Sequence, residues 1–112
     1  MQSFRHAFAG LRAAFQAEMN IKIYTAVTVI LLICSIYFDL AIWEWVILLL
    51  TVGIMYTCEL LNTAIERVVD LVTEDYHPLA KLAKDIAAGA CLFFAGISVI
   101  IGILIFFPKI FL

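Results

Sequence analysis

Apolar residues along this chain gather into long blocks, and most charged residues sit in the joints between them. A helix needs about 20 mostly apolar residues to cross the hydrocarbon core of a bilayer. Windows at about residues 21–38, 41–65 and 86–107 meet that length, which predicts three membrane-spanning helices. Only Phe38-Asp39-Leu40 separates the first two spans, so a tight antiparallel hairpin is expected there. Ahead of the first span, Phe4, Phe8, Leu11, Phe15 and Met19 recur at three- and four-residue spacing, with Arg5, Arg12 and Gln16 on a neighbouring face. That pattern predicts an amphipathic helix over about residues 3–19, lying on the membrane surface. Glu18 departs from the pattern, because at helical spacing it projects near the apolar stripe. Pro78 is expected in the first turn of the helix that becomes the third span, with His77 or Asp75 at its start.

Composition makes the bilayer the natural solvent. Hydrophobic residues are 66% of the chain and charged ones 14%, whereas soluble domains are about half apolar. The expected fold class is therefore an all-α membrane protein forming a single membrane-embedded domain over residues 1–112. A net charge of −2 offers no basic footprint for nucleic acid. Cys34, Cys58 and Cys91 all lie inside apolar stretches without CxxC spacing or neighbouring histidines, so they read as small packing residues. The first apolar stretch is followed by no small-x-small cleavage site and is expected to stay in the mature protein.

Orientation follows from Lys and Arg, which resist translocation. Arg5, Arg12 and Lys22 flank the start of the first span, and Arg67, Lys81 and Lys84 lie between the second and third. The first hairpin holds only Asp39 and Glu44, and Lys109 stands alone near the C-terminus. A cytoplasmic N-terminus, a cytoplasmic 66–85 segment and an external C-terminus are expected.

The residues at odds with a membrane setting fall into one pattern. Glu59, Asn62, Glu66 and Asp70 are spaced three, four and four apart, so on a helix they share one narrow face. The stripe climbs about 16 Å from within the bilayer to the cytoplasmic surface, at about 1.5 Å per residue. Glu59, the deepest, needs a proton, a cation or a hydrogen-bond donor, because a carboxylate left unpaired at that depth costs several kcal/mol. A structural polar seam between helices is the plainer explanation of such a stripe. Several anions on one face repel one another, however, and a divalent cation would resolve the conflict. Mg²⁺ takes oxygen ligands and commonly arrives with nucleotide phosphates, whereas the lack of histidine in the stripe argues against zinc. Lys84-Asp85 opens the third span on the same side, and Glu18 reaches it from the surface helix. A lysine beside such carboxylates can hold phosphates, although alone it equally suits snorkelling toward headgroups. Neither a GxxxxGK[ST] loop nor a kinase Gly-rich loop is present.

The run Glu59-Leu60-Leu61-Asn62-Thr63-Ala64-Ile65-Glu66-Arg67-Val68-Val69-Asp70, followed by Tyr76-His77 and Lys84-Asp85, resembles the signature of the small bacterial integral-membrane lipid kinases. That family contains the prokaryotic diacylglycerol kinases and the undecaprenol kinases. The likeness continues upstream through Gly10-Leu11-Arg12-Ala13-Ala14-Phe15 and Glu18, and so covers nearly the whole chain. It implies a homotrimeric bundle in a bacterial cell membrane, with active sites at subunit interfaces, that transfers the γ-phosphate of Mg-ATP to a membrane lipid alcohol. By the same resemblance Glu59 is the general base and contacts the lipid substrate with Arg12, while Glu18 and Glu66 hold Mg²⁺. Asn62 and Asp70 support that centre, and Tyr76, His77, Lys84 and Asp85 contact ATP, with Asp75 and His6 at further nucleotide positions. The segment from Glu18 to Tyr24 is more similar to the undecaprenol kinase branch, where a basic residue and a His often follow Glu-x-Asn, and Tyr24 departs from that His. An upstream Arg that helps bind nucleotide in the proteobacterial diacylglycerol kinases has no counterpart. Undecaprenol is the favoured substrate and diacylglycerol the competing one. The rival class, a small proton-coupled multidrug transporter, would require four spans and a carboxylate near the midplane.

Overall fold

The computed structural model describes residues 2–112, and these form four helices in the order α1 Gln2–Ala17, α2 Met19–Tyr37, α3 Ile42–Val72 and α4 Pro78–Phe111. The helices α2, α3 and α4 are each long and apolar enough to cross a membrane. That makes three spans among the described residues, against the four a small multidrug transporter needs. At about 1.5 Å per residue, α3 with 31 residues and α4 with 34 are each much longer than the roughly 30 Å hydrocarbon core. Their excess length continues past the apolar windows, so the polar ends at Glu66–Val72 and Pro78–Asp85 are helical too.

The surface helix ends two residues earlier than its periodicity suggests, at Ala17. Glu18 is extended, at φ −99° and ψ 119°, and stands between α1 and α2 as the N-cap of the latter. Its N–H still donates to the Ala14 carbonyl at 2.9 Å, so the chain changes direction without losing that bond. This corrects the reading of Glu18 as a member of the surface helix: the carboxylate leaves from a bend, which removes the conflict with the apolar stripe.

The first hairpin is closed by a Schellman arrangement, in which a left-handed residue lets the next amides fold back onto the helix end. Asp39 supplies the left-handed residue at φ 52°. Its N–H reaches the Ile36 carbonyl and that of Leu40 reaches Ser35, both at 3.3 Å. Leu40, buried, then covers the end of α2. On the other side of the turn, Glu44 Oε1 accepts from the Ala41 N–H at 2.9 Å and lies 3.0 Å from Lys109 Nζ, so a single carboxylate ties the start of α3 to the end of α4. His77 performs the matching task at the cytoplasmic turn. Its Nδ1 accepts from the Leu79 N–H at 3.1 Å, and Pro78 occupies the first turn of α4, where its missing N–H is not needed.

Packing centres on α3. Its neighbours α2 and α4 both lie against it, whereas between themselves their backbones stay apart among the described residues and Phe38 at the end of α2 meets Phe106 of α4 edge-on at 6.2 Å. The facing side of α4 carries Ala87, Cys91, Ala95, Ser98 and Gly102, small residues at helical spacing that let two backbones approach closely. Cys91 is buried and Cys34 and Cys58 are half-buried, all three as free thiols. Hydroxyls within the spans bond their own helices, as when Ser35 donates to the Leu31 carbonyl at 2.6 Å, which leaves no hydroxyl hydrogen facing hydrocarbon there.

Candidate active site

The face of α3 that turns toward its neighbours holds Glu59, Asn62 and Thr63 in buried positions, with Glu66 and Asp70 half-buried above them. Burial therefore declines up the stripe, from Glu59 at 2% exposure to the open end of the helix. The donor that Glu59 requires comes from Asn20 in the first turn of α2, whose Nδ2 lies 3.3 Å from Glu59 Oε1. Cys91 of α4 is buried beside the same carboxylate. One turn higher, Asn62 Nδ2 donates to Glu66 Oε1 at 3.2 Å, and Asn62 Oδ1 is buried with no hydrogen-bond partner.

Glu18 enters from the bend between α1 and α2 and stands 4.0 Å from Nη2 of Arg67, the residue that follows Glu66 on α3. Lys84 also joins, with Nζ 2.6 Å from Asp70 Oδ1 across the α3–α4 crossing. Its neighbour Asp85 does not, because it is paired with Lys81 at 2.5 Å on an exposed face of α4. Asp75, Tyr76 and His77 border a cavity of about 220 Å³ together with Lys81 and Lys84, and Lys84 links that cavity to the stripe through Asp70. His6 and Arg12 are exposed on α1 and, among the described residues, form no hydrogen bond or ion pair with the stripe. Two contributors were not anticipated from the sequence. Asn20 is a polar residue set into the start of an apolar span, a signal that was available. Arg67 had only its place next to Glu66 to mark it.

Among the described residues no three carboxylate, histidine or cysteine side chains converge closely enough to cage a metal ion. The donor chemistry nevertheless fits Mg²⁺, which prefers hard oxygen and keeps water or phosphate oxygens in part of its shell. Glu66, Glu18 and the unpartnered Oδ1 of Asn62 are all oxygen donors, and the last is a buried polar atom left without a bond, which a coordinated ligand or its water would satisfy. The whole assembly thus has a dry carboxylate at its base, oxygen donors in the middle, and a lysine with an aromatic and a histidine at its rim.

Residues 5–106 match the family described as prokaryotic diacylglycerol kinase. The chain is 50% identical over 109 residues to an undecaprenol kinase of Bacillus subtilis, covering 97% of this chain and 89% of that protein. It is 42% identical over 109 residues to a diacylglycerol kinase of Synechocystis, covering 96% of this chain and 62% of that protein. A diacylglycerol kinase of Escherichia coli is 30% identical over 95 residues, covering 85% of this chain and 78% of that protein.

Proposed function

The chain belongs to the prokaryotic diacylglycerol kinase family and is a lipid kinase; from that footing we propose that it phosphorylates the hydroxyl of undecaprenol with ATP as donor. The observation that carries the reading is the buried pair of Glu59 and Asn20, an oriented carboxylate within a span long and apolar enough to cross a membrane. Glu59 lies about 10 Å below Glu66 by helical rise, which separates a lipid level from a nucleotide level on one helix.

In the proposed reaction one Glu59 oxygen is held by the Asn20 amide while the carboxylate takes the proton of the lipid hydroxyl. The alcohol oxygen attacks the γ-phosphorus, the new O–P bond forms as the bond to the β-phosphate oxygen breaks, and ADP departs with that electron pair. Glu66 and Glu18 would hold Mg²⁺, with Asn62 fixing the Glu66 carboxylate. Mg²⁺, when bound with the nucleotide, neutralises the charge of its phosphates. Lys84, steadied by Asp70, supplies positive charge near the transferred group, while Asp75, Tyr76 and His77 border the space for the nucleotide, with Asp85 and His6 as its outer contacts. Arg12 contacts the lipid from α1. The Lys and Arg distribution supports a cytoplasmic N-terminus and an external C-terminus, and membership of the family supports a homotrimer. Diacylglycerol is the second acceptor to weigh, because the Synechocystis relative bears that name at 42% identity.

Purified protein in phospholipid vesicles, given labelled ATP and Mg²⁺, should transfer phosphate to undecaprenol faster than to diacylglycerol. Transfer to neither would overturn the kinase reading, and a preference for diacylglycerol would overturn the choice of lipid. Glu59→Gln should lower turnover by at least about 100-fold, the usual worth of a general base, with Mg-ATP binding intact. Glu66→Gln should weaken Mg-ATP binding itself, measured by titration calorimetry. Normal behaviour of both variants would refute these roles.

A further inference from the structure

The face of α3 that carries Glu59 continues downward into the bilayer. Met55, Thr51 and Leu48 follow it at intervals of four, four and three residues, so they lie beneath the carboxylate on the same side of the helix. Together with α2 and α4 they border a half-open cleft of about 280 Å³. The space lies where the backbones of α2 and α4 stay apart, above the Phe38–Phe106 contact that joins them near the far end of the bundle. From Glu59 to Leu48 the helix descends about 16 Å.

The aliphatic hydroxyls of the walls are turned away from the space. Thr28 donates to the Tyr24 carbonyl at 2.7 Å, Thr51 to Ile47 at 2.7 Å and Ser98 to Phe94 at 2.8 Å, so these three spend their hydrogens on their own helices. Water needs two or more polar partners to be held in a cavity, and hydrocarbon needs none. At the top, Tyr24 meets Tyr56 edge-on at 6.3 Å, and the Tyr56 hydroxyl lies 2.6 Å from that of Thr25. Phe15 of the surface helix stacks on Tyr56 at 5.8 Å. This aromatic collar sits one turn from Glu59. The floor is reached by Gly102, eleven residues and so about 16 Å along α4 from Cys91, the neighbour of Glu59. A Cβ added to Gly102 meets nothing within 4 Å.

We propose that this cavity is the binding site for the first isoprene units of the polyprenyl chain, which leave Glu59 through the aromatic collar and run down between α2, α3 and α4. The proposal rests on the lipid kinase reading for its substrate and adds where the tail goes. Continuity with the catalytic face selects the occupant: a lipid whose hydroxyl is at Glu59 has its adjoining carbons at the mouth of an apolar space on that same face.

The test uses the full-length protein in phosphatidylcholine vesicles and an undecaprenol analogue bearing a photoreactive diazirine on its second isoprene unit. Labelling, mapped by mass spectrometry, should fall on Thr51, Met55 and the Ser98–Gly102 segment and be competed by undecaprenol. Labelling confined to lipid-facing residues such as Ile33 and Leu92 would overturn the proposal. Gly102→Leu, which fills the floor, should raise KM for undecaprenol about tenfold and leave KM for Mg-ATP and for short geraniol unchanged. Ser98→Leu, higher in the cavity, should also impair farnesol. An unchanged undecaprenol KM in folded Gly102→Leu protein would overturn it, as would a loss of oligomer mass on filling the cavity without any tail labelling, which would assign the groove to a second copy of the chain. Because labelling does not depend on turnover, cavity labelling without phosphate transfer would sustain the tail site and refute the kinase reading alone.

Discussion

Asn20 is the side chain on which the buried carboxylate depends. Its amide donates to Glu59 across a gap of 39 residues in sequence. A hydrogen bond to a charged group contributes about 1.5–3 kcal/mol, roughly a factor of ten or more in an equilibrium or rate. Asn20→Ala should therefore lower kcat about tenfold with Mg-ATP affinity unchanged, and Asn20→Gln should restore part of the loss; steady-state kinetics separating kcat from KM would show it. Equal kcat in Asn20→Ala and the wild type would remove Asn20 from the site. The acids themselves were legible in the sequence because helical spacing is a fixed rule, so Glu59, Asn62, Glu66 and Asp70 had to share a face. Which basic or amide group answers each acid was not legible, since that depends on how separate helices cross. Lys84 and Asp85 are adjacent in the chain, yet the structure gives one to Asp70 and the other to Lys81. The bend at Glu18 was hidden for a different reason: Phe15 to Met19 contains no Pro, Gly or favoured N-cap residue to announce it.

At the scale of elements, the turn between α2 and α3 is governed by a residue held where L-amino acids are strained. The left-handed conformation costs roughly 1–2 kcal/mol for ordinary side chains and less for Asp. Asp39→Gly should be neutral or stabilising by up to about 1 kcal/mol, whereas Asp39→Val should destabilise by about 1–2 kcal/mol, read from reversible unfolding in mixed micelles. The hairpin was foreseeable because three residues between two long spans permit nothing else. Helix ends were less so, because hydropathy reports where lipid stops and says little of where backbone hydrogen bonding stops. The helices α3 and α4 continue past their apolar windows, to Val72 and back to Pro78, and that extra length carries Asp70 and Lys84 to their meeting point.

For the molecule as a whole, most large apolar side chains face outward, which requires lipid or other copies of the chain around them. The proposed trimer is checked by native mass spectrometry of the detergent-extracted protein, where a mass of three chains is expected and a monomer would count against it. The bend at Glu18 has a mechanical consequence at this scale. Below it hangs α2, whose 19 residues span about 28 Å, a close match to a bilayer core of about 30 Å. Above it α1 is expected to lie along the interface, so the carboxylate occupies the joint between a floating element and a fixed-length one. Thickening the bilayer must tilt or strain that joint, while the longer α3 beside it can accommodate by small changes in tilt. Glu18 then shifts relative to Glu66 as acyl-chain length changes, and Mg-ATP affinity should pass through a maximum across a series of vesicles of increasing thickness. On that expectation the bend acts as a ruler, and titration of Mg-ATP across the thickness series checks it, a flat affinity profile counting against it.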